Sequence, residues 1–171
     1  MYNLPGLGQR LKLNGPVLAN IYLGNITTWN AAAIRALNPG ASLPDTKITV
    51  VYRSDGSGST YAFTNYLATV SPQWKSKVGV NTTVNFPTGT GARGSAGVAG
   101  VVKSTEGALT YADAAYAITN KISFALMEPI GGELAYLHEV DAARWVTLDE
   151  ARRLLTYERD VALLDRVTEA A

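Results

Sequence analysis

The sequence predicts an α/β fold with a strand–helix tail appended to it. Three observations carry this. The run "KITVVYR" is apolar and β-branched like a buried strand, and the segments around it repeat their apolar residues at helical spacing. Hydrophobic residues make up 47% of 171 positions and charged residues only 17%, which allows a substantial core. Glycine use and charge then change together along the chain. All 16 glycines lie at or before Gly132; residues 1–132 carry ten Lys/Arg against five Asp/Glu, and residues 133–171 carry five against nine. That break places the boundary between a domain of residues 1–132 and a tail of residues 133–171 near "PIGGEL".

Taken in order, "GPVLANIYLG" reads as a helix with Val17, Leu18, Ile21 and Tyr22 on one face. "TWNAAAIRALNPG" reads as a second, short helix, with Asn30 as its cap and Asn38-Pro39-Gly40 as its stop. "KITVVYR" is the strand, and "STYAFTNYLATVS" a helix that places Phe63, Tyr66, Leu67 and Val70 toward the core. The glycine-rich segment "TGTGARGSAG", residues 88–97, reads either as a flexible loop or as the lining of an anion-binding cleft, with Arg93 not assigned as a ligand. "SAGVAGVVKST" follows as a helix, "GALTYAD" as a short strand and "DAAYAITNK" as another helix. In the tail "ARWVTL" reads as a strand, and the acidic run after it as amphipathic helix, with Thr147 and Glu150 at capping-box spacing. Trp29, Trp74 and Trp145 read as packing anchors.

Composition narrows the chemistry. No cysteine is present and His138 is the sole histidine, so thiol catalysis, disulfides and the usual zinc sites are excluded. A net charge of +1 gives no reason to expect nucleic acid as a partner. No metal site, cofactor or catalytic residue is expected.

The stretch "RSDGSGST", residues 53–60, stands where the strand gives way to a helix. Gly56 and Gly58 let a ligand approach the main chain, and the amides from Ser57 to Thr60 belong to a first helical turn that leaves them unpaired. Such donors, at the positive end of a helix dipole, suit a tetrahedral oxyanion. Arg53 adds a planar two-pronged cation. Asp55 could grip and orient that guanidinium, or accept a proton from a partly protonated oxyanion. Read alone, the octapeptide also fits an ordinary helix start in which Asp55 or Ser57 caps and Arg53 is a solvated charge. It is not a Walker loop, since no lysine follows the last glycine, and no upstream histidine makes it a nucleophile elbow.

The phrases "YNLPG", "LxGxxLAxIYLGxITxWN", "LNPG" and "RSDGSGS", in this order and over residues 2–127, resemble the phosphate-binding protein of bacterial phosphate ABC transporters, the PstS family. The resemblance implies a single lobe of a type II periplasmic-binding-protein fold and binding of inorganic phosphate without catalysis. It implies phosphate contacts from Arg53, Ser57, Gly58 and Ser59, with Asp55 holding the arginine. It also implies the transporter permease as a partner, and a periplasmic or cell-surface location. The N-terminal "MYNLPGLGQR" lacks the order of a signal peptide, which taken alone predicts a cytoplasmic protein. The family's first lobe, including the acidic residue that takes the ligand's proton, has no counterpart in these 171 residues. Weaker phosphate binding than in a two-lobed protein is therefore expected, and a homodimer through the exposed cleft face is a further expectation.

The tail segment "EVDAARWVTLDEARRLLTYERDVALLDRV" resembles the end of a Nudix hydrolase without its catalytic glutamate box. A structural role for the tail in a fused or chimeric chain is expected, and a fold without any ligand is the alternative. Nudix-type phosphohydrolysis ranks below both.

Overall fold

The computed structural model describes residues 1–128 and the backbone of two short strands, Leu134–Ala135 and Trp145–Val146. The chain divides into two units, Met1–Met127 and Glu128–Ala171. The first runs β1 (Lys12–Leu13), α1 (Gly15–Tyr22), α2 (Ala32–Leu37), β2 (Thr49–Arg53), α3 (Gly58–Val70), α4 (Pro72–Lys77), β3 (Thr90–Ala92), α5 (Gly94–Ser104), β4 (Ala108–Leu109), α6 (Ala114–Thr119) and β5 (Leu126–Met127). In the second, β6 (Leu134–Ala135) pairs antiparallel with β7 (Trp145–Val146), where "ARWVTL" predicts a strand. The helices expected after it lie outside the described residues, as does the Nudix-like stretch apart from β7.

The predicted strand β2 is the centre of the fold. It pairs parallel with β3 on one side and β4 on the other, in the order β3-β2-β4. Parallel neighbours need crossover connections, which α3 with α4 and then α5 supply. Successive residues of β2 face opposite sides of the sheet. Ile48 and Val50 join a core with Leu67 of α3, Trp74 of α4 and residues of α1 and α2. Val51 joins a second core with Val98, Ala99 and Val102 of α5 and Ala117 of α6. A sheet covered on both faces accounts for the unbroken apolar run that identifies this strand in the sequence.

Two glycines let the neighbouring strands close on β2. Gly89 lies just before β3 at φ +107°, where an added Cβ would stand 2.4 Å from the Val50 carbonyl oxygen. Gly107 does the same before β4: at φ +78°, its Cβ would stand 2.4 Å from the Lys47 oxygen.

The helices follow the sequence reading with local corrections. All four apolar residues predicted for α1 are buried, and Asn14 caps it through a bond from Val17 N. The cap of α2 is Ala31, not Asn30, and it makes no side-chain capping bond; Asn38 ends the helix as expected. In α3, Leu67 is fully buried, but the other fully buried positions are the hydroxyl residues Thr60 and Thr64. Residues 88–97 are not loop throughout, because β3 forms inside them and α5 begins at Gly94. Helix α4 was not anticipated, although Ser71 caps it and Pro72 sits in its first turn. Trp29 and Trp74 are fully buried anchors.

Candidate functional site

β2 and β3 end side by side, with Arg53 in register with Ala92. Each leads into a helix, α3 four residues after β2 and α5 one residue after β3. The "RSDGSGST" motif thus occupies the carboxyl end of parallel strands, beside two helix N-termini.

Two groups of contacts organise it. In the first, the Arg53 guanidinium forks onto Asp55, with Nε donating to Oδ1 at 2.7 Å and Nη2 to Oδ2 at 2.5 Å. Its Nη1 lies 3.4 Å from the Ser95 hydroxyl in the first turn of α5. Asp55 Oδ1 also accepts the Gly94 amide at 2.9 Å, tying the start of α5 to the motif. The arginine fork and then the Gly94 amide hold the Asp55 carboxyl far below the usual carboxylate range. The same bond raises the pKa of Arg53, so both groups stay ionised. Three donors, Arg53 Nε and Nη2 and the Gly94 amide, thus engage both oxygens of Asp55 and hold it against Arg53 and the start of α5. The pair is electrically balanced, yet at most three of the five guanidinium N–H groups are used among the described residues.

In the second group, Ser57 caps α3. Its hydroxyl accepts from Thr60 N at 3.4 Å, and its own amide donates to the Thr82 carbonyl at 3.0 Å. The amides of Gly58 and Ser59 have no acceptor among the described residues. Ser57 is buried, whereas Gly58 and Ser59 are exposed. A Cβ built on Gly58 meets nothing within 4 Å, so the main chain there is open on its side-chain face.

No hydrogen bond among the described residues runs from the Arg53 side chain to Ser57, Gly58 or Ser59. The two groups are joined through Tyr111: its hydroxyl accepts the Arg53 amide at 3.2 Å and lies 2.7 Å from the Thr60 hydroxyl. Gly94 and Ser95, in the segment the sequence places beside the motif, and Tyr111, which the sequence does not single out, therefore join the candidate site. They stand 39 to 58 residues from their partners, and no local pattern marks such pairings. Arg93 is the N-cap position of α5 without a side-chain capping bond.

A family model described as PBP superfamily domain matches residues 2–159. The phosphate-binding protein PstS of Xylella fastidiosa is 50% identical over 124 residues, covering 72% of this chain and 34% of that protein. PstS of Pasteurella multocida is 47% identical over 132 residues, covering 77% and 38%. The chain thus spans little more than a third of these relatives' length. A solved structure of a high-affinity periplasmic phosphate-binding protein bound with phosphate superposes with a TM-score of 0.53 at 26% identity, over 68% of this chain and 31% of that one. The matched family model and these relatives show the family: this chain belongs to the PBP superfamily, with the PstS phosphate-binding proteins as homologues.

Proposed function

We propose that this chain binds inorganic phosphate, without catalysis, as a binding lobe of the solute-binding component of phosphate ABC transport. The carrying observation is the pair of amides at Gly58 and Ser59. They lack acceptors among the described residues, and both residues are exposed, at the start of a 13-residue helix that follows Arg53. A tetrahedral oxyanion accepts from both amides and meets the helix dipole. The hydroxyls of Ser57 and Ser59 supply further donors, and the unused edge of the Arg53 guanidinium supplies charge. Asp55 orients that guanidinium.

Binding is the whole mechanism in this reading. Neither serine is bonded to a base that could make it a nucleophile, among the described residues. The homologues' names support phosphate as the ligand, the solved relative's supports a periplasmic location, and the family resemblance extends the reading to a permease partner and a cell-surface alternative. Thermal melting with added inorganic phosphate tests it: the wild type gains stability with phosphate concentration and Arg53→Ala does not. Equal responses from both proteins would refute the assignment.

A further inference from the structure

β4 pairs with β2 only at Thr49 and Val50, whereas β3 stays in register to Arg53. Over the last residues of β2 the chain after β4 therefore offers no strand, and side chains take its place. The Thr110 hydroxyl donates to the Val51 carbonyl at 2.9 Å, and the Tyr111 hydroxyl accepts the Arg53 amide at 3.2 Å. Tyr111 also reaches the Thr60 hydroxyl in the first turn of α3, at 2.7 Å. Its ring stacks on Phe63 of the same helix, with centroids 4.2 Å apart and planes at 13°. Thr60 is fully buried and Tyr111 nearly so, so neither hydroxyl has bulk water as a substitute partner. Burial raises the phenol's pKa, which keeps it a neutral hydroxyl beside the anion corner.

We propose that Tyr111 is a positioning residue of the anion site: by holding the Arg53 main chain and the first turn of α3 at once, it sets the guanidinium against the Gly58 and Ser59 amides. The inference rests on the phosphate reading, because it concerns how two halves of that site are registered. It touches no ligand itself. Losing the hydroxyl leaves the half-buried Arg53 amide without its acceptor and frees the start of α3 to move relative to the end of β2.

The test compares Tyr111→Phe, Thr60→Val and Thr60→Ser with the wild type and with Asn38→Ala. Asn38 is a buried residue whose bonds tie α2 to β1, away from the site. Two readouts are taken by NMR: the affinity for inorganic phosphate, from the Gly58 and Ser59 amide shifts, and the solvent exchange of the Arg53 Nε–H in ligand-free protein. Tyr111→Phe is expected to weaken phosphate roughly tenfold and to speed the Nε–H exchange. Thr60→Val moves both readouts the same way, Thr60→Ser restores them, and Asn38→Ala lowers the melting temperature while moving neither. The proposal is overturned if Tyr111→Phe and Thr60→Val lower the melting temperature but leave affinity and exchange as in the wild type. Should the wild type itself ignore phosphate, the phosphate reading fails, and the Nε–H exchange alone decides the role of Tyr111.

Discussion

Substituting alanine at Gly58 separates the needs of the fold from the needs of the ligand. Gly58 is the first residue of α3, its φ is not in the left-handed region, and an added Cβ meets no atom within 4 Å. The fold therefore does not require glycine there. Alanine in a compatible helical position stabilises by about 0.5–1 kcal/mol, through lower entropy of the unfolded chain. For a chain of this size that is a rise in melting temperature of roughly 1–4 °C. Bound phosphate would share that open space with the new methyl group. Displacing it from one amide removes a hydrogen bond to a charged group, about 1.5–3 kcal/mol, or roughly ten- to hundredfold in affinity. Gly58→Ala should thus melt higher than the wild type in phosphate-free buffer and bind phosphate more weakly. Calorimetric melting with and without phosphate reads both numbers from one sample. A variant that melts higher and still binds phosphate as tightly as the wild type would refute the approach of the anion to this amide.

Arg53→Lys keeps the charge but loses the planar fork onto Asp55; a single ammonium cannot span both carboxylate oxygens and still present an outer edge. Phosphate affinity should fall roughly tenfold or more, while the melting temperature moves by about 2 °C or less, since the pair is partly exposed. Gly89→Ala must lose its φ of +107° or push the Val50 carbonyl away. A loss of about 3 kcal/mol or more is expected in urea unfolding, together with weaker phosphate binding as β3 shifts against β2. The pKa of Asp55 is depressed in the folded chain, so its contribution is present above the ordinary carboxylate range and is lost as pH falls through the lower folded value. Between pH 7 and 5 the Arg53 Nε–H signal should therefore hold steady, and acid unfolding of Asp55→Asn should lack the corresponding slope below about pH 4.

What was legible in the sequence was local. Val17, Leu18, Ile21 and Tyr22 give α1 its face, and the β-branched run gives β2, because burial on one or both sides leaves a periodic trace. The strand β3 left none: Gly91 and Ala92 are poor strand residues, Thr90 alone makes no pattern, and pairing with β2 makes the three a strand. Thr60 and Thr64 broke the apolar pattern of α3, since their hydroxyls find partners in Tyr111 and in the Asn81 backbone once the chain has folded. The site divides in the same way. Arg53, Asp55 and Ser57 to Ser59 stand together in eight residues and can be read as one motif. Ser95 and Tyr111 reach them only through the β3-β2-β4 order, which no single segment encodes.

The most direct test is a crystal structure of the chain grown with inorganic phosphate. The proposed function requires a tetrahedral anion with oxygens about 2.7–3.1 Å from the Gly58 and Ser59 amides, and one within reach of the Arg53 guanidinium. Phosphate ordered elsewhere, or only water at those amides under saturating phosphate, would contradict it.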